Sequence, residues 1–285
     1  MIVGVWQGIA VRAGQTWQPE TIERVIESFP TSTRVARVAT DRGPGFLKGI
    51  GNPAGDAALA SELVGSELAC LIGLSVPDFA IVEISDLDIP MIDRGVMGRG
   101  AAFISRSIDG FVSDGTDTFL KRLIDPSAPS RMVIFDTWIR NYDRWPPEGS
   151  IFEANRDNLF FTPQGRKFDL VAIDHSHCFV EGLLEDQIGE EITREDVRIH
   201  GNFPEFASFI TESGVMSTVA RLREICPRDV REIVDSVPVS WGVSAATRDE
   251  WFNVICYRAA LVANTAPDQL LQQNRLDLEE GGEGE

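Results

Sequence analysis

Basic side chains are scarce in this sequence. Lysine and arginine together number 26 against 44 aspartates and glutamates, leaving a net charge of −18 and a pI of about 4.6. A surface of that sign repels phosphate backbones and anionic bilayers, so neither nucleic acid nor membrane is expected as a partner. A small anionic ligand is not excluded, because it needs only a few cations at one spot. No apolar run reaches the roughly 18 residues of a membrane helix, and the N-terminus lacks a basic segment followed by an apolar core. A soluble, cytoplasmic protein is the expectation. The four cysteines (Cys70, Cys178, Cys226 and Cys256) are scattered in apolar contexts without a CxxC pair. They read as reduced core thiols rather than a disulfide framework or a zinc site. No GxGxxG precedes Lys48, so no glycine-rich phosphate loop is marked, and the absence of GxSxG leaves an α/β-hydrolase unsupported.

What is present is a chain of 285 residues, 43% of them hydrophobic, enough for two lobes or one large domain around a sizeable core. Residues 19–28 (PETIERVIES) read as a short helix ended by Phe29 and Pro30. TSTRVARVAT reads as a strand, and after a D-R-G-P turn GFLKGIG makes the second arm of a hairpin, with Lys48 on it. Residues 56–73 carry an apolar face of Leu59, Leu63, Val64, Leu68, Leu71 and Ile72 and predict a helix ending at Gly73. PDFAIVEI and GRGAAFISRSIDG read as strands. From about residue 115 the pattern turns helical: DTFLKRLI, PSRMVIFDTWIRN and, beyond Gly182, four segments with apolar spacings of three and four. The last ten residues, LDLEEGGEGE, are acidic and glycine-rich and read as a disordered, solvated tail.

The chemistry concentrates in residues 135–179. An N-x-D-R turn carries Asn141, Asp143 and Arg144; Asn158 leads the apolar run Leu159–Phe161; Asp174 closes the run Leu170–Ile173. NLFF, a TPQGR turn and FDLVAID read as a hairpin with Asn158 and Asp174 near its two ends. Phosphoryl transfer from ATP uses such parts in this order. A loop carboxylate orients the acceptor hydroxyl, and an amide oxygen and a second carboxylate hold Mg²⁺ on the phosphates. Singly, each residue has an ordinary reading, because N-x-D-R is often only a capped turn. Their combination on the right elements points to a site.

With its flanks, the segment resembles the catalytic core of HipA-like kinases, in which FDxWIxNxDR, an NxNLL run and xxIDHxxxF follow one another. FDTWIRNYDR, DNLFF and AIDHSHCF stand here in their places. The resemblance implies an α+β, bilobal kinase-like fold, with a small β-rich N-lobe (1–110), a helical C-lobe (111–275) and the tail beyond. It implies Asp143 as catalytic base and Asn158 and Asp174 as magnesium ligands, with ATP as phosphoryl donor. The acceptor it implies is a serine or threonine hydroxyl on a protein. WPPEGSIFEANRD lengthens the usual connection after the catalytic aspartate, which leaves Asn155 as a rival to Asn158. Asp136, in the family's FDxW position, is expected to brace the catalytic loop.

In kinases a strand lysine contacts the phosphates and a helix glutamate holds it. Lys48 fits the first part, although a solvated edge lysine is its plain alternative. Glu62 and Glu67 compete for the second, and the resemblance selects Glu62 through ELVGSELACLIGLSVP. It also puts a phosphate-facing turn at Pro30–Thr33, with Ser32 as a candidate, and the hinge near Ser105 and Arg106. Arg144 is expected to pair with a phosphate or a structural carboxylate. His175 is expected to orient the magnesium aspartate or a phosphate; a metal site shared with His177 is disfavoured for want of further ligands. A small-molecule kinase whose acidic 145–157 insertion selects a cationic acceptor is the alternative enzyme. A nucleotide-binding pseudokinase scaffold is the alternative of another class.

Overall fold

The computed structural model describes residues 12–280, with side chains through residue 272. Its first layer is a five-stranded antiparallel sheet in the order β1-β2-β3-β7-β4. The strands are β1 (Ile22–Ser28), β2 (Ala36–Thr40), β3 (Gly43–Lys48), β4 (Phe79–Ile84) and β7 (Gly100–Arg106), with a small β5 (Pro90–Met91) and β6 (Gly95–Val96) ribbon beside them. Side chains alternate across the pleat. Ala36, Val38, Leu47, Ala80, Val82, Ala102 and Ile104 point to one face and form a core with Trp17, Met91 and Met97. The opposite face, with Lys48, Phe79 and Phe103, covers helix α1 (Ala57–Leu71).

β1 corrects the helix expected over residues 19–28. Ile22 and Val25 are three apart, a helical spacing, yet both pack on the same core from a strand. Two register shifts reconcile the two facts. Glu23 and Ile26 are skipped in the ladder, so Ile22, Val25 and Ser28 stand opposite Thr40, Val38 and Ala36. Bulges thus convert a period of three into one buried face, and the β-branched content suits the strand.

Beyond β7 the chain crosses to a second sheet, ordered β10-β9-β8, of β8 (Phe111–Val112), β9 (Leu159–Gln164) and β10 (Lys167–Ala172). DTFLKRLI makes only one 3₁₀ turn, at Leu120–Arg122, rather than a helix. α2 (Ala128–Ile139) is buried on every side, as befits the central helix of a lobe. α5 (Glu212–Arg223) and α7 (Ala245–Glu280) pack against it, α4 (Glu191–Glu195) and α6 (Pro227–Asp235) pack on α7, and α3 (Leu184–Gln187) precedes them in the chain. α7 runs through Glu280, so the first half of the stretch expected to be a disordered tail is helical; residues 281–285 lie outside the described part. No helix among the described residues is long and apolar enough to cross a membrane.

Candidate active site

α2 ends where Arg140 adopts a left-handed backbone (φ 52°), and the Asn141 N–H donates back to Asp136 O (2.9 Å). That stop turns the chain into the N-x-D-R loop. Asn141 Oδ1 accepts from the Asp143 N–H (3.1 Å), so the capped-turn reading holds as well. Arg144 has no solvent exposure. Its Nη1 pairs with Asp136 Oδ1, its Nε donates to Asn158 O (3.1 Å) and its Nη2 to Ile173 O (2.7 Å). One guanidinium therefore ties the loop to the residues that open β9 and follow β10. This corrects Arg144 as a phosphate contact: its partners are the structural carboxylate and two carbonyls. Asp136, wholly buried, has its pKa raised by desolvation while Arg144 works against that. Gly201 (φ 73°) lies so close that a Cβ there would meet Asp136 Oδ2 at 2.3 Å.

Asn158 Nδ2 donates to Asp143 Oδ2 at 2.7 Å. Asn155 instead spends its side chain accepting from the Asp157 N–H (3.1 Å), capping the short turn that delivers Asn158. The rivalry between the two asparagines is thus one of geometry, and Asn158 is the one in contact with Asp143. Asp174 (φ 55°) sits in the left-handed region that Asp tolerates better than most residues, with its side chain 31% exposed.

Lys48 Nζ uses all three donors: Glu62 Oε2 at 2.6 Å, Asp174 Oδ1 at 2.8 Å and Ser176 Oγ at 2.8 Å. It is buried, so it is no solvated edge lysine. Burial opposes its charge, but Asp174 and Glu62 overcome that and raise its pKa above the usual lysine range. Burial likewise works against the Glu62 carboxylate, and Lys48 and His175 outweigh it, holding Glu62 well below its ordinary value. Glu62 Oε2 also accepts from Ser176 Oγ (2.7 Å) and the His175 N–H (3.0 Å). Glu67 faces the other way, to Arg12 Nη1 (2.6 Å) and the Ala13 N–H (3.1 Å).

His175 is 1% exposed, edge-on to Phe135, and its Cβ would lie 2.5 Å from a Cβ built on Gly65. Its ring is enclosed against α1, with Nδ1 3.7 Å from Glu62 Oε1 and 3.4 Å from Ser66 Oγ, so where a direct cofactor contact was expected the structure shows a buried ring beside Glu62. Ser32 is exposed, with Oγ 2.8 Å from His177 Nε2. The turn that contains it has no glycine; Arg34 takes the positive φ (52°) and Thr31 Oγ1 accepts from the Val35 N–H (3.1 Å). His175 and His177 therefore point to different partners, and among the described residues no three His, Cys, Asp or Glu side chains converge as a metal cage.

Three further residues near these positions were not singled out from the sequence. Ser176 joins Lys48 to Glu62; its signal is a hydroxyl two residues after an aspartate, whose N–H reaches Asp174 Oδ1 (3.4 Å). Phe46 stands two residues before Lys48 on the same face, opposite Ser105, with the Phe29 ring 6.1 Å away. Phe160 alternates out of the core that holds Leu159 and Phe161, and Gly110 passes so near that a Cβ would meet its ring at 2.4 Å.

A lysine-bearing antiparallel sheet held by a helix glutamate, above a helical lobe whose loop aspartate meets an asparagine at a hairpin's root, is a kinase-like fold. The solved structure of the Helicobacter pylori proinflammatory kinase CtkA is similar over 89% of this chain and 97% of that one, with a TM-score of 0.58 and 11% sequence identity. The HipA-like kinase family model matches residues 39–264, and the chain belongs to that family. No curated protein matches the sequence.

Proposed function

We propose that this kinase transfers the γ-phosphoryl group of Mg-ATP to an alcohol, with serine or threonine on a protein as the acceptor class. The observation that carries the reading is the Asp143–Asn158 contact at 2.7 Å, tethered by Arg144 to the hairpin end that holds Asp174. Asp143 Oδ2 is engaged by Asn158, and Oδ1 is the oxygen assigned to the acceptor hydroxyl. As the acceptor oxygen bonds to the γ-phosphorus, the bridging bond to the β-phosphate breaks, ADP leaves, and the hydroxyl proton passes to Asp143. Lys48 is assigned to the α- and β-phosphates, its orientation set by Glu62 and Ser176. Adenine is assigned to the lobe crossing at residues 107–110, where Gly110 passes against the Phe160 ring.

Asn158 and Asp174 supply an amide oxygen and a carboxylate. Magnesium binds through one or two such hard ligands plus substrate phosphates rather than an all-protein cage, so this donor set fits it. When bound, the ion neutralises charge on the phosphates. Lys48 holds Asp174 at 2.8 Å in this structure, so a phosphate arriving at Lys48 competes with that ion pair.

The test is Asp143→Asn. Transfer from radiolabelled ATP should fall by about 10²- to 10⁴-fold, the usual scale of general-base loss, while the melting temperature stays within a few degrees. A variant that keeps its transfer rate removes Asp143 from the mechanism. What favours an active kinase over a pseudokinase scaffold is that the charged set is intact: Lys48 contacts Glu62 and Asp174, Asn158 contacts Asp143, and Arg144 joins the two groups through Asn158 O and Ile173 O.

A further inference from the structure

A cavity of about 250 Å³ opens directly beside Asp143. Its walls come from three places: Tyr142 and Asp143 on the catalytic loop, Phe152 and Glu153 on the lengthened connection, and His177 and Glu181 after Asp174. Three carboxylates thus face a space too small for a drug-sized ligand but suited to one functional group or side chain. Tyr142 is 3% exposed, and its hydroxyl is buried beside the Glu181 carboxylate without a well-formed hydrogen bond to it. The Glu181 carboxylate is close enough to help raise the phenol pKa, behind the larger effect of burial. The Phe152 ring, 5.6 Å from that of Tyr142 and 38% exposed, is the aromatic side open to a cation, because the Tyr142 ring already carries the Arg140 guanidinium 5.0 Å from its centroid. Glu181 forms long ion pairs with Arg140 (3.9 Å) and Arg198 (4.0 Å), neither at hydrogen-bond distance, so its charge is only partly met. No ion pair of the described residues involves Glu153, and it is exposed.

Resting on Asp143 as the base, we propose that this cavity selects the acceptor: the hydroxyl is carried by a molecule with an ammonium or guanidinium group beside it, held by Glu153 and Glu181. Carboxylates on an aromatic wall recognise such a cation by charge and by its attraction to the ring faces. The two sources of this chemistry are a serine or threonine flanked by lysine or arginine in a peptide, and a small polyamine-like alcohol.

The experiment uses the full chain with radiolabelled Mg-ATP and two panels. One holds peptides whose serine or threonine is flanked by basic, neutral or acidic residues; the other holds small alcohols with and without amino groups. Cationic acceptors in one panel should show kcat/KM at least about tenfold above their neutral counterparts, and the panel that is labelled identifies the source. Glu153→Gln should raise KM for the cationic acceptor by about tenfold, leave kcat within about twofold, and leave KM for ATP unchanged. Glu153→Lys should favour acidic acceptors. Equal use of neutral or acidic acceptors, no labelling of any cationic one by a chain that binds Mg-ATP, or an unchanged KM in Glu153→Gln overturns the proposal. A wild-type chain that shows no Mg-ATP binding overturns the kinase reading beneath it, which separates the two failures.

Discussion

Arg144 and His200 show how single buried side chains set the behaviour of the loop between them. The Arg144 guanidinium meets one carboxylate and two carbonyls in different directions. A lysine has its donors on one nitrogen and cannot span the three. Arg144→Lys should therefore destabilise the protein by about 3–5 kcal/mol, the cost of leaving a buried charge without its partner, read by urea denaturation; a loss under about 1 kcal/mol would mean the clamp is not structural. His200 has no solvent exposure, sits edge-on to Tyr142 and has its pKa pushed down to about 3 by burial. Its neutral form is the one the fold accepts. Below the unfolded value of about 6.5 the unfolded chain binds a proton that the native chain refuses, so stability drops as pH falls, by about 1.4 kcal/mol per unit. Between pH 6.5 and 4.5 the wild type should thus lose roughly 2–3 kcal/mol more than His200→Gln; parallel stability curves for the two proteins would exclude His200 as the source.

At the scale of elements, α1 matters for where it stands rather than for its propensity. Thirteen of its fifteen residues are buried, and Gly65 lets the His175 segment approach it. That approach brings the His175 N–H and Ser176 to Glu62. Gly65→Ala puts a methyl 2.5 Å from His175 Cβ, which only a shift of α1 or of the 174–177 loop relieves. The cost in stability is expected at about 1–3 kcal/mol. Transfer should fall by up to about 10²-fold, because Lys48 and Asp174 lose their mutual placement. A variant with a lowered melting temperature and full activity would show that the site does not depend on this contact. β1 carries the complementary lesson: its period-three pattern is real, and the bulges that make it a strand are set by pairing with β2.

For the whole molecule, the two lobes are joined by the crossing at residues 107–110 and by contacts elsewhere. Arg12 bonds to Glu67 on α1 and to Glu232 on α6, and Trp241 Nε1 donates to Ala101 O (2.8 Å) on the N-lobe sheet. A ligand that bridges the cleft binds only the native arrangement and stabilises it by mass action. At a hundredfold excess over Kd, Mg-ATP should add about 2.7 kcal/mol, a rise of roughly 4–8 °C in melting temperature. The shift should need Mg²⁺ and be largely lost in Asp174→Ala. A shift indifferent to the metal and to Asp174 would remove Asp174 from the metal site.

Much of the candidate site was legible in the sequence because its residues stand at the ends of strongly patterned elements. Lys48 closes an apolar strand, Glu62 rides a helix with an apolar face, and Asn158 and Asp174 bracket a hairpin whose turn chemistry is plain. Periodicity fixes where such residues fall on their elements, and chain order fixes which elements meet. It does not fix which partner a buried polar group takes. Arg144 reads the same whether it meets a phosphate or Asp136, and His175 reads as a site residue although it faces inward. Ser176 has no signal beyond its distance from Asp174. The bulges in β1, the choice of Asn158 over Asn155 beside Asp143, and the acidic cavity next to it depend on contacts between residues far apart in the chain. Local propensity carries no information about those contacts, so the packed lobes decided them.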